Sequence, residues 1–284
     1  MFTDNPVTPV RLEILVDVLR QQNRGLARGD VYRLLQPKPL EPDPKFAPAS
    51  ATVLAAVELG VAEESGGTLS LSASGKRIKE TRAAVLQAFE EKVLARTDVE
   101  KYFALFYSYY LNLGKAVHAR ANQSGEEWAR QFNKEVFLDE PQPNPFNKEK
   151  LTGLHRWFSY VGLGWYDQAD ELQANPYERL LRALAGIFAK KRKLSSDEFM
   201  KRLAEACPEL DGGELFRQAN RSWNGADKQC TLGLSHALIE LHEDGVLHLD
   251  CPADCQEWSM KEAEPPRDDA FKGDRFASVE WRKP

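Results

Sequence analysis

The chain is poor in the residues from which most active sites are built. Of its 284 residues only 4 are cysteine, 5 histidine and 3 methionine. No Gly-rich loop closes on Lys-Ser or Lys-Thr, and neither His-Glu-x-x-His nor Gly-x-Ser-x-Gly occurs. No cluster of acids with a lysine spells a nuclease, so the expectation is a protein that is not an enzyme. The four cysteines, Cys207, Cys230, Cys251 and Cys255, are spread over the last third, which suits reduced thiols better than a disulfide framework. Cys230, Cys251 and Cys255 with His248 form the one grouping of metal-ligand types. Its x₃ spacing is looser than the usual zinc pairs and Pro252, Ala253 and Asp254 fit a turn, so neither metal nor cofactor is expected. Apolar runs such as Tyr102 to Leu113 fall far short of the ~20 residues that cross a bilayer. Met1 to Pro9 carry neither a basic start nor an apolar core, which predicts a cytoplasmic protein with no membrane partner. Positive charge is also short: 38 Lys and Arg stand against 43 Asp and Glu, for a net −5. This excludes a general nucleic-acid coat and leaves room for a local basic face.

What the chain does have is a recurrence. Three times an apolar helical stretch runs into a glycine and then into a short apolar, hairpin-like segment. The instances are Leu54, Val57, Leu59, Gly60, Val61; then Leu154, Trp157, Val161, Gly162, Leu163; then Leu238, Leu241, Gly245, Val246, Leu247. Each glycine is placed just past a helix, where the left-handed conformation is cheapest without a Cβ. A helix stopped there and followed by a hairpin is the second half of a winged helix. The expected fold is therefore mainly α, with tandem winged-helix units and short β-hairpin wings.

Boundaries follow from composition. Residues 1–72 read as an N-terminal winged helix: an amphipathic helix on Leu12, Leu15, Val16 and Leu19, a short helix near Asp30–Leu35 burying Val31, Leu34 and Leu35, and a third helix over Ala49–Leu59. Five prolines between Pro37 and Pro48 predict an extended connector. Ser65, Gly66 and Gly67 supply the first wing's turn. Residues 73–97 read as one long linker helix capped by Ser72 or Ser74, and 98–174 as a middle winged-helix-like unit. There, Ser124 and Asn147 are expected caps, one helix runs to Gly162, and a wing passes through Trp165, Tyr166 and Leu172. Residues 175–260 read as a C-terminal winged helix. Its first helix closes on Lys190–Lys193, its last runs over Thr231–Glu243, and a hairpin returns near Trp258. Residues 261–284 read as a polar tail, mobile or docked on a partner.

The aromatic stretch Tyr102, Phe103, Phe106, Tyr107, Tyr109 and Tyr110 has the chemistry of a base-stacking platform, yet lacks interleaved cations and reads better as core. The third helix of the first unit has no Lys or Arg and suits a packing or protein interface. Duplex DNA is expected instead on the middle helix, where Lys148, Lys150, Thr152, His155 and Arg156 place donors on one face near its N-terminal half. A plain solvated face is the competing reading. Lys190 and Arg192 complement a helix dipole or meet phosphates, and Arg217 and Arg221 are presented by a helix over Gly213–Asn220.

Three stretches carry a family resemblance: Glu58-Leu59-Gly60-Val61-Ala62-Glu63-Glu64, Trp157-Phe158-Ser159-Tyr160-Val161-Gly162-Leu163-Gly164-Trp165, and Ser235-His236-Ala237-Leu238 through Leu249-Asp250. With the order of parts, they make the chain resemble the DpdG family, whose bacterial gene clusters insert 7-deazapurines into DNA and restrict foreign DNA. The resemblance implies a non-catalytic component of an anti-phage modification-restriction system, acting beside ATPase or nuclease subunits, with a homodimer compatible. No catalytic residue is carried across by it. The expected function is a subunit that contacts double-stranded DNA and assembles a larger machine; a pure protein scaffold and a transcriptional regulator are the alternatives.

Overall fold

A computed structural model describes residues 7–22, 24–37, 46–95, 99–120, 123–138, 140–168, 171–250, 252, 257–261 and 274–282. The protein is mainly helical, with small antiparallel sheets. In chain order the first part gives α1 (Pro9–Arg20), β1 (Leu26–Ala27), α2 (Arg28–Leu35), α3 (Ala47–Glu58), β2 (Ala62–Ser65), β3 (Thr68–Leu71), α4 (Ala73–Arg77) and α5 (Thr81–Phe89). The middle gives α6 (Phe103–Leu113), α7 (Gly125–Phe137), α8 (Lys148–Phe158), β4 (Gly164–Tyr166) and β5 (Leu172–Ala174). The last part gives α9 (Tyr177–Ile187), β6 (Lys193–Ser195), α10 (Ser196–Ala206), α11 (Glu214–Ala219), α12 (Leu232–Glu243), β7 (Leu247–Asp250), β8 (Trp258–Ser259), β9 (Arg275–Phe276) and β10 (Ser278–Trp281). The chain divides into two compact units: Met1–Phe103 with Asn147–Tyr160, and Ala104–Phe146 with Val161–Pro284. No helix among the described residues is long and apolar enough to cross a membrane.

In the first unit, Thr8 caps α1 by accepting the Arg11 N–H, Pro9 pre-sets the first turn, and Leu12, Leu15, Val16 and Leu19 are buried. A three-stranded antiparallel sheet of order β1-β3-β2 lies beside the helices, pairing Leu26 with Leu69 and Glu64 with Leu69's other edge. Gly66 and Gly67, both left-handed, turn β2 into β3. Strand β1 is an addition to the sequence reading. Two expectations need correction and a third lies largely outside the described residues. Leu34 is 54% exposed, not buried. The connector falls largely on residues 38–45, outside the described residues. The long helix after the first wing is two: Ser72 caps α4, Ile78 turns extended, and the Glu80 carboxylate starts α5 by accepting the N–H groups of Arg82 and Ala83. α5 then passes into a π-helical turn over Glu90–Leu94.

Helix α8 completes this unit's core. The Trp157 ring stacks on Phe89 with centroids 4.9 Å apart, its Nε1–H donates to the Val7 carbonyl at 3.3 Å, and Phe158 meets Phe103 at 5.2 Å. Asn147 caps it as expected, accepting the Lys150 N–H at 3.0 Å. The helix stops at Phe158, so Gly162, although left-handed, lies beyond the C-cap Ser159 and does not terminate it directly.

In the second unit α6 supplies an aromatic core, as the sequence suggests: Phe106 is ringed by Phe132 at 5.3 Å, Phe146 at 5.0 Å and Trp128 at 6.3 Å. Tyr107 and Tyr110 donate their hydroxyls to the carbonyls of Leu163 and Leu172. Burial, with nearby Glu209 and Asp211, pushes the Tyr107 hydroxyl well above its ordinary pKa, so it stays a donor. β4 and β5 form a two-stranded hairpin, and the second three-stranded sheet has the order β6-β10-β7. Here the sequence reading is corrected again. Helix α9 ends at Ile187, so Lys190–Arg192 follow it and Lys193 opens β6. β7 is paired not by a strand near Trp258 but by β10, from the stretch read as a polar tail. Val279 of β10 faces Leu194 on one side and Leu249 on the other and is fully buried. Trp258 pairs separately with Phe276.

Candidate nucleic-acid interface

The nine residues expected to meet DNA fall in both units. Five lie on α8 of the first. Lys148, Thr152 and Arg156 are exposed and recur every four residues, forming a stripe along one side of the helix that spans roughly 12 Å at 1.5 Å per residue. Thr152 donates its hydroxyl to the Lys148 carbonyl at 3.1 Å, so it is turned back onto the helix. His155 is half-buried. Lys150 departs from the expected face: it is only 5% exposed, and its ammonium lies 5.9 Å from the centre of the Tyr102 ring, a cation–π contact inside the unit. The signal that would have separated it is helical phase, because Lys150 neighbours the buried Leu151, Leu154 and Trp157 side of α8.

Four lie in the second unit. Lys190 and Arg192 are exposed in the segment after α9, where Lys191 pairs with Glu198 at 3.5 Å and Lys193 with Asp250 at 3.2 Å. Arg221 is exposed. Arg217 donates from Nε to the Gly212 carbonyl at 2.7 Å, at the side of a cleft of about 650 Å³. Sequence reasoning missed that cleft. It also missed two buried polar pairs: Asp211, which lines the cleft, accepts the N–H and hydroxyl of Thr231, and Arg179 pairs with Glu209 at 2.9 Å.

The helices that precede the two three-stranded sheets' outer hairpins, α3 and α12, carry no Lys or Arg. Cys207 and Cys230 are buried free thiols, whereas Cys251 and Cys255 lie outside the described residues. Burial and nearby Asp211 push the Cys230 thiol well above its ordinary pKa, so it stays protonated.

A family model described as DpdG-like matches residues 2–255. The chain belongs to the DpdG-like family. This membership connects it with the Dpd 7-deazaguanine modification system. The DpdG-like match covers α1 through β7 and ends before β8, β9 and β10. No curated protein and no solved structure matches the chain.

Proposed function

We propose that this DpdG-like chain is a non-catalytic subunit of the 7-deazaguanine DNA modification machinery, built on two winged-helix units, that touches the phosphates of duplex DNA through α8. The observation that carries this reading is the repeated topology. In each unit a helix, a short strand, further helices and two later strands, which in the second unit are separated by the β8–β9 pair, make a sheet whose last strand sits in the middle, β1-β3-β2 and β6-β10-β7. That is the order of a winged helix, a unit used chiefly to hold nucleic acid or a protein partner. Base reading by α3 or α12 has no support, because neither carries an Arg or Lys for base edges. Phosphate contact asks only for accessible cations, and the Lys148–Arg156 stripe supplies two. With no signature motif for chemistry in the chain, the catalytic steps fall to ATPase or nuclease subunits of the same system.

A second reading, a protein-binding scaffold with no DNA contact, is favoured by the exposed apolar side chains Val10, Ile14, Leu34 and Leu54 on the helices of the first unit. Binding of labelled duplex to the wild-type chain and to the Lys148→Ala/Arg156→Ala chain, across a salt series, separates them. Two phosphate contacts give a log–log salt slope of about −2, at ~0.9 per contact, and the double substitution flattens it on any sequence. Absence of binding at low salt favours the scaffold, and a marked sequence preference a transcriptional regulator.

A further inference from the structure

The cleft beside Arg217 has the volume of a small-molecule site. Its volume of about 650 Å³ lies between α10, the turn Pro208–Gly213, the start of α11 and the turn Trp223–Gly225. Volumes of roughly 300–1,000 Å³ are typical of sites for small molecules. Two indoles line it, Trp223 and Trp258, and both are fixed in place. Phe216 meets Trp223 edge-on at 5.4 Å and 87°, and the backbone at Gly225 lies so near that a Cβ there would stand 3.0 Å from two ring carbons. Trp258 donates its Nε1–H to Asp197 at 2.8 Å. An aromatic wall already held in this way loses little freedom when a flat guest stacks on it.

The rim is chemically mixed. α10 contributes Lys201 and Glu205, and α11 contributes Glu214 and Arg217. All four are exposed, and none forms an ion pair with a described residue; Arg217 spends only its Nε on Gly212. Other cations of this unit are paired, Lys191 and Arg202 with Glu198, Lys193 with Asp250, Lys228 with Asp197 and Glu257, whereas Lys190, Arg192 and Arg221 are, like the rim, in no ion pair with a described residue. An apolar guest would make no use of the four rim charges, and a simple anion or cation would use half of them. The guest that suits floor and rim together is a flat heteroaromatic ring with adjacent acceptors on one edge and adjacent donors on another. Guanine has this pattern: O6 and N7 accept from an arginine fork, and N1–H and N2–H donate to a carboxylate.

We propose that this cleft binds a guanine-type nucleobase, stacked on Trp223, with Arg217 and Lys201 on its acceptor edge and Glu205 or Glu214 on its donor edge. The base can be carried by a free mononucleotide or by a nucleic-acid strand. Titration of the full chain with GMP, AMP and short single-stranded oligonucleotides with and without guanine, followed by tryptophan fluorescence and calorimetry, tests this. Saturable binding of GMP, about tenfold or more tighter than AMP, supports a free nucleotide, while binding confined to guanine-containing oligonucleotides supports a base within a strand. Trp223→Ala weakens either by about tenfold or more. Because that change also removes a packed side chain, Lys201→Ala/Glu205→Gln is the control, since these exposed side chains form no hydrogen bond or ion pair with a described residue; it too weakens binding. No saturable binding of any guanine ligand, equal binding of AMP and GMP, or unchanged affinity in the Lys201/Glu205 variant overturns the proposal. The Lys148→Ala/Arg156→Ala chain binds the base normally, so the cleft and the duplex reading fail separately.

Discussion

Asp211 accepts two hydrogen bonds from one residue: the backbone N–H of Thr231 at 2.6 Å and its hydroxyl at 2.8 Å. Thr231 is the N-cap of α12, so a buried carboxyl braces the start of that helix.

Burial raises the Asp211 pKa from 3.8 to about 6, against the opposing pull of those hydrogen bonds. Because the folded value lies above the unfolded one, the native chain holds a proton that the unfolded chain has released between these two values. Asp211 therefore makes the protein less stable as pH rises from about 4 to about 6, with no further change above. Urea unfolding at intervals of pH, on wild type and Asp211→Asn, checks this: the substitution removes that part of the slope and costs about 1 kcal/mol where an acceptor is lost. An identical pH dependence in the two proteins would sink the assignment.

The Arg179–Glu209 pair is buried on both sides, 4% and 0% exposed, and Arg179 also donates to the Ala206 carbonyl at 3.1 Å. Arg179→Met leaves a carboxylate deprived of its cation and costs about 3–5 kcal/mol, whereas Arg179→Met/Glu209→Leu recovers much of that loss. A double-mutant cycle by chemical denaturation measures the difference; additive losses would contradict the coupling.

Gly60 and Gly245 close α3 and α12 in the same way. Each has positive φ, 74° and 69°, and its N–H and that of the following valine reach back to the last turn of the helix. A Cβ at either meets nothing within 4 Å, so Gly60→Ala and Gly245→Ala each cost only the left-handed strain, about 1–2 kcal/mol. Gly233 is the contrary case. It is helical, where alanine is ordinarily favoured, yet a Cβ would come within 2.6 Å of the Ala174 carbonyl oxygen and of a Leu111 methyl. Gly233→Ala is thus expected to destabilise more than either end-cap substitution, and thermal melts of the three variants rank them.

These glycines also mark what could be read from the sequence. Caps at Thr8, Ser124, Asn147, Ser195 and Thr231 are local, as are the two glycine stops, because a cap is decided by residues within one turn. What the sequence hid depends on distant partners. β1 is two residues long and acquires meaning only beside Leu69. Lys150 looks like its exposed neighbours until Tyr102, far back in the chain, takes its charge. The break between α4 and α5 is set by Glu80, whose side chain caps the second helix instead of continuing the first. The cleft was illegible for the same reason, since Lys201, Arg217, Trp223 and Trp258 come together only in the folded second unit.

Strands β6 and β7 do not touch each other; β10 lies between them and takes hydrogen bonds from both. Both precede residue 278 in the chain. Until β10 pairs, the unit has two strand edges separated by an unfilled lane, lined by Leu194 and Leu249, which Val279 covers. Such edges are the ones that recruit chaperones or a neighbouring chain. Formation of β10 thus sets the moment at which the second unit stops offering open strand edges, and a chain cut before residue 278 would be prone to aggregate.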